Sequence, residues 1–93
     1  MGRKIYRYRL DITDVVRLDL PEGADVLSVG PPRDRRDGPL DLWAVVDPAT
    51  ETESRTFRVI GTGNPMPDFV GLFIGTVPMF GGSLIFHVFE DVS

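Results

Sequence analysis

Tyr6-Arg7-Tyr8-Arg9-Leu10-Asp11-Ile12 alternates between apolar or aromatic side chains and charged ones without a break. Successive side chains of a strand point to opposite faces, so the stretch reads as a half-buried strand with Arg7, Arg9 and Asp11 turned to water. A helix would need apolar positions three and four apart behind a capping residue, and no window of the chain shows both. The fold is therefore read as all-β. Working outward, a Thr13-Asp14 turn leads to Val16-Arg17-Leu18-Asp19-Leu20, which repeats the alternation. Pro21-Glu22-Gly23 is a turn signal, and Ala24 to Val29 forms a third strand. Gly30 to Pro39 is punctuation and charge, an exposed loop. Leu40 to Val46 makes a fourth strand, closed by Asp47 to Glu51, and Ser54 to Ile60 is expected to pair back on it as a hairpin. Gly71 to Val77 and Ser83 to Glu90 complete the set around Pro78 to Gly82, with Gly81-Gly82 as a hairpin turn. A short helical turn is placed at Pro67 to Val70. The expectation is a small antiparallel sandwich or barrel of about seven short strands, one domain over residues 1–93.

A chain of 93 residues can bury only a modest core. Apolar residues at 42% and charged residues at 26% are ordinary for a globular domain, and no apolar run approaches the roughly 20 residues of a membrane span. Met1 to Arg7 is basic but has no apolar stretch behind it, so a cytoplasmic location is expected and no membrane partner. The absence of cysteine removes disulfides and thiolate chemistry. Net charge is −4, while Arg3, Lys4, Arg7, Arg9 and Arg17 concentrate basic residues near the start. Such a balance disfavours duplex nucleic acid as a partner, since coating it rewards many cations on one face. A local basic pocket for one small anion stays open.

The last strand is apolar on both sides, with Leu84, Phe86 and Val88 on one and Ile85, His87 and Phe89 on the other. It belongs in the interior of the fold or beneath a partner, and so small a chain has little with which to cover its second face. A homo-oligomer is the expected cover.

The richest candidate for a site is Arg58-Val59-Ile60-Gly61-Thr62-Gly63-Asn64-Pro65-Met66-Pro67, where a strand stops in an uncharged, glycine-rich turn. Arg58 can pair with an anion, and Gly61, Thr62, Gly63 and Asn64 offer backbone N–H groups, a hydroxyl and an amide to an anion or a nucleobase edge. Plain strand termination is the alternative. The dinucleotide fingerprint and the phosphate loop both require further residues that are missing here, so no nucleotide cofactor is implied. His87, the sole histidine, reads as a ligand contact or as a hydrogen-bonded side chain in an apolar sheet, and the balance falls on the second. Trp43 shares a face with Asp41 and Val45 and reads as an interface anchor or a stacking surface, or equally as a side chain closing one end of the core. Arg7, Arg9, Arg17 and Arg58 occupy polar positions; they would converge on phosphate only if the first and fifth strands met, and otherwise form cross-strand pairs with aspartates such as Asp11 and Asp19. No nucleophile stands with His87, carboxylates cluster at turns, and no second metal ligand accompanies the histidine, so neither catalysis nor metal binding is expected.

Leu42-Trp43-Ala44-Val45-Val46-Asp47-Pro48, Phe57 to Pro65, Ile74-Gly75-Thr76-Val77 and Gly81 to Glu90 together resemble a family of small uncharacterised proteins found in bacteria and their phages. Lys4-Ile5-Tyr6-Arg7-Tyr8 is similar too, whereas the charged insert Gly30 to Pro39 departs from the pattern. The resemblance implies a phage or prophage accessory protein that binds host molecules or assembles with itself, and brings no activity with it. The expected function is non-enzymatic binding of a small anionic or nucleotide-like molecule, such as a host defence signal. The alternative is a structural or protein-interaction module that self-assembles without a small ligand.

Overall fold

The computed structural model describes residues 2–33 and 38–93, and their strands form two antiparallel sheets. The seven strands are β1 (Lys4–Leu10), β2 (Val15–Pro21), β3 (Asp25–Gly30), β4 (Leu40–Val46), β5 (Thr52–Gly61), β6 (Gly71–Met79) and β7 (Leu84–Asp91). One sheet has the order β1-β4-β3 and the other β2-β5-β7-β6. Neither closes on itself, so the architecture is a sandwich rather than a barrel. Alternation explains the layering. Leu10, Leu20, Leu40, Leu42, Val46, Phe57, Val77 and Val88 are fully buried between the sheets, while Arg7, Trp43, Arg58 and His87 stand on the two outer faces.

Chain reversals were legible and strand partners were not always so. Ser54 to Ile60 does not form a hairpin with Leu40 to Val46. β4 is flanked by β1 and β3, and β5 lies in the other sheet between β2 and β7. The link between them turns tightly at Asp47, whose side chain accepts from Ala49 N–H (3.0 Å) and whose carbonyl accepts from Thr50 N–H (3.1 Å). Glu51 O then accepts from Glu22 N–H at 2.8 Å, which fastens the link to the corner after β2 and delivers β5 beside that strand. β4 takes the centre of its sheet because Leu40, Leu42, Ala44 and Val46 on one face and Asp41 on the other are all buried.

The final strand sits inside its sheet, between β5 and β6. β6 and β7 form a hairpin around a 3-10 turn at Phe80–Gly82, where Gly81 and Gly82 take positive φ (67° and 89°). Ser83 N–H and hydroxyl both donate to Phe80 O and close the turn. Pro67 to Val70, read above as a helical turn, runs instead without helix into β6, and the 3-10 turn is the helical element among the described residues. Its sequence Pro67-Asp68-Phe69-Val70 needs no helical hydrogen bonds because Val70 O accepts from Val92 N–H at 2.8 Å. Part of the charged insert, residues 34–37, lies outside the described residues. Among the described residues no helix is long and apolar enough to cross a membrane.

Candidate functional site

Three residues apart on β5, Arg55 and Arg58 fall on opposite faces of the sheet. The neighbouring carboxylates Glu90 and Asp91 on β7 do the same, so the two cations and two anions sort into one inner and one outer pair. Arg58 donates from Nε to Asp91 at 3.0 Å, and its guanidinium carbon lies 5.3 Å from the ring centre of Phe69. Its terminal Nη groups have no hydrogen-bond partner among the described residues. A guanidinium stacked on an aromatic ring and tethered through Nε is held in place while its remaining donors stay available.

Arg58 borders a recess of about 450 Å³ lined also by Asp14, Val59, Ile60, Asn64, Pro65 and Pro67. The turn after β5 shapes it. Asn64 N–H donates to Gly61 O (3.1 Å) and Thr62 N–H to Ile85 O (3.0 Å), so two of the turn's N–H groups are spent on the fold. The turn therefore offers side chains more than a cradle of backbone donors. A Cβ at Gly61 would stand 3.0 Å from the Asn64 amide nitrogen, so a side chain there would press the Asn64 amide aside. Gly63 occupies the tip with φ of 89°. Gly61, Thr62 and Asn64 also border a second recess of about 350 Å³ with Gly82, Ser83, Leu84, Ile85 and Phe86.

His87 joins the same turn. Its Nε2 lies 2.7 Å from Thr62 Oγ1 and its Nδ1 3.0 Å from Thr76 Oγ1. One consistent arrangement has the Thr62 hydroxyl accepting from Nε2–H and donating to Ile85 O (3.4 Å), with the Thr76 hydroxyl donating to Nδ1. His87 thus ties the turn to β6 and β7, the hydrogen-bonded role favoured above. Of the residues singled out in the sequence, Arg58, Gly61, Thr62, Gly63, Asn64 and His87 share this end of the outer face of the four-stranded sheet. Trp43 does not join them; it lies on the outer face of the other sheet, with the Arg33 guanidinium carbon 5.9 Å from its ring centre. Arg7 and Arg9 are on that face too, across the sandwich from Arg17 and Arg58, so the four arginines do not converge. Arg7 pairs with the buried Asp41 at 3.5 Å, and Arg33 N–H donates to the same carboxylate at 3.0 Å.

The inner pair was missed in the sequence reading. Arg55 clamps Glu90 with Nε to Oε2 at 2.6 Å and Nη2 to Oε1 at 2.9 Å, and donates from Nη1 to Ala24 O at 2.6 Å. The Glu90 hydrogen bonds push the Arg55 pKa above its ordinary value, outweighing the opposing effect of burial. A signal for it existed: Arg55 keeps the parity of Phe57 and Val59, and Glu90 that of Val88, so each alternating strand places a charge at an inward position. Asp91, on the outer face, is held below the ordinary carboxylate pKa first by the Ser93 hydroxyl, then by Ser93 N–H and, less strongly, by Arg58. Among the described residues no group of three or more His, Asp or Glu side chains gathers as metal ligands.

The fold and the recess define a small antiparallel β sandwich with a side-chain-lined pocket beside a glycine turn. The chain belongs to the family described as a domain of unknown function, DUF7352, whose model matches residues 1–93. No curated protein and no solved structure shows significant similarity to it.

Proposed function

We propose that the protein is a non-catalytic binding module that takes a small anionic, nucleotide-like molecule in the recess between Arg58 and the Gly61 to Pro67 turn. The observation that supports this reading is the meeting of Arg58 and Asn64 in one cavity. Arg58 brings terminal donors suited to a phosphate, Asn64 a donor and an acceptor suited to a base edge, and Asp14 an acceptor for a hydroxyl or amine. Val59, Ile60, Pro65 and Pro67 supply apolar walls. A recess of about 450 Å³ is of the size that small-molecule sites commonly have. Sequestration fits this arrangement, because holding a molecule out of solution needs affinity and no chemistry. The resemblance to small bacterial and phage proteins supports a phage accessory role of this kind, acting on a host signal in the cytoplasm.

Calorimetric titration against mono-, di- and cyclic nucleotides tests the reading. Arg58→Ala should weaken binding by about 1.5–3 kcal/mol, the value of a hydrogen bond to a charged group. Arg17→Ala, on the same sheet face but outside the recess, should change it little. Failure of every panel member to bind the wild-type protein, or equal losses in the two variants, removes the recess as the site.

A further inference from the structure

Asn64 lines two recesses at once. One is the Arg58 recess of about 450 Å³, and the other, of about 350 Å³, is bounded by Thr62, Ser83, Leu84, Ile85 and Phe86. The turn after β5 is therefore their shared wall. The Asn64 side-chain amide, without a hydrogen-bond partner among the described residues, belongs to both.

The two recesses differ in chemistry. The first carries Arg58 and the Asp14 carboxylate, whereas no charged side chain among the described residues borders the second. The hydroxyls of the second recess have already committed their protons. Ser83 Oγ donates to Phe80 O at 2.9 Å, and Thr62 Oγ1 lies between Ile85 O (3.4 Å) and the His87 ring (2.7 Å). A hydroxyl whose proton is engaged presents lone pairs, so Ser83 accepts from a ligand rather than donating to it. A phosphate group, rich in acceptors, finds no cation there. Apolar contact comes from the half-exposed Leu84 and from Phe86. Phe86 stands opposite Gly61 in the ladder between β5 and β7, and because Gly61 has no side chain the phenyl ring is left uncovered on that side. A planar group bearing donors matches these walls, and an anion does not.

We propose that the second recess is the nucleobase subsite of the ligand whose phosphate pairs with Arg58, and that the two recesses together select a phosphodiester nucleotide with an amino-bearing base. This rests on the Arg58 reading above and adds to it the place of the base and the charge of the ligand. The base lays its apolar face on Leu84 and Phe86 and gives amino protons to Ser83 Oγ and the Asn64 carbonyl. A single negative charge suits the first recess. Arg58 brings one positive charge, already shared with Asp91, and Asp14 lines the same recess. Each further phosphate charge would meet those carboxylates on a chain whose net charge is −4. A phosphodiester carries one charge, and a nucleoside triphosphate carries several.

Titrations followed by NMR chemical shift test this on the wild-type chain with four probes: cyclic AMP, its analogue lacking only the amino group, ATP, and dimethyl phosphate, which has the diester without a base. Cyclic AMP should bind tightest. Removing its amino group should weaken binding by about three- to tenfold, the effect of one hydrogen bond. ATP should bind roughly tenfold more weakly than cyclic AMP. Leu84→Ala should weaken cyclic AMP by roughly tenfold through lost apolar contact and leave dimethyl phosphate unchanged, whereas Arg58→Ala should weaken both. Leu72→Ala, at an exposed leucine of β6 outside both recesses, should change neither. Amides from Gly82 to Phe86 should shift with cyclic AMP and not with dimethyl phosphate. Cyclic AMP binding that needs Arg58 but is untouched by Leu84→Ala and by loss of the amino group overturns the second subsite and leaves the Arg58 reading standing. A loss on Leu84→Ala with none on Arg58→Ala overturns the joining of the two recesses and the Arg58 reading with it. ATP binding tighter than cyclic AMP overturns the selection by charge, and failure of all four probes to bind overturns both readings.

Discussion

The two faces of β5 carry the same chemistry to different ends. Arg55 and Glu90 lie between the sheets, with side chains 17% and 11% exposed, and Arg58 and Asp91 lie on the outer face at 24% and 9%. Every nitrogen of Arg55 is engaged: two grip a carboxylate and the third a backbone carbonyl. Arg58 is held by Nε alone and keeps its terminal donors. A buried ion pair survives desolvation only when its donors and acceptors are all satisfied, so the inner pair is saturated and can hold nothing else. Arg58 is the more exposed of the two arginines and engages a single nitrogen, so its terminal donors are left for a ligand. Saturation marks the structural arginine and incomplete engagement the binding one.

Breaking the inner pair should have the largest effect. Arg55→Ala leaves the Glu90 carboxylate buried beside Phe57 without its clamp, and stability should fall by about 3 kcal/mol, read as a lower midpoint in denaturant unfolding. The double variant Arg55→Met with Glu90→Leu should recover most of that loss, because apolar partners remove the stranded charge along with the pair. A double variant as unstable as the single one would show that the pair contributes more than mutual neutralisation. Arg58→Ala should cost clearly less in the same experiment, because Asp91 keeps the Ser93 hydroxyl and N–H as partners. A loss as large as that of Arg55→Ala would make Arg58 a structural residue and erase the contrast.

Acid provides the finest probe of the outer pair. Since the folded pKa of Asp91 is depressed, its stabilising contribution is complete above the ordinary carboxylate value and is lost as pH falls through the lower folded value. The leading cause is the Ser93 hydroxyl, so wild type should be more stable than Ser93→Ala at neutral pH. The gap should close as the solution is taken below about pH 4, where an ordinary aspartate protonates. A gap of constant size from neutral pH to acid would assign Ser93 some role other than stabilising the ionised carboxylate.

Much of the candidate site was legible along the chain because it is local. Arg58, Gly61, Thr62, Gly63 and Asn64 are near neighbours in sequence, and their turn follows from glycine content and from alternation that fixes which face Arg58 takes. Asp14 was not legible as a wall of the recess. It comes from the corner before β2, and only the pairing of Val15 with Arg58 brings it there. His87 was legible as sharing a face with Ile85 and Phe89, whereas its bridge to Thr62 and Thr76 requires β5 and β6 to lie on either side of β7.

By itself the sequence determined the all-β class, about seven strands, the alternation of faces along them and the presence of a hairpin at Gly81-Gly82. Each of these depends on a period of two or on a turn residue, signals carried within a few positions. Tertiary structure decided which strands share a sheet. β4 and β5 part company although a short link joins them, and β7 inserts between β5 and β6. Strand pairing is chosen by the joint burial of all apolar faces and by corner hydrogen bonds such as Glu22 to Glu51, contacts between residues far apart in the chain. For the same reason only the assembled sandwich could show that one arginine of β5 is locked and the other available.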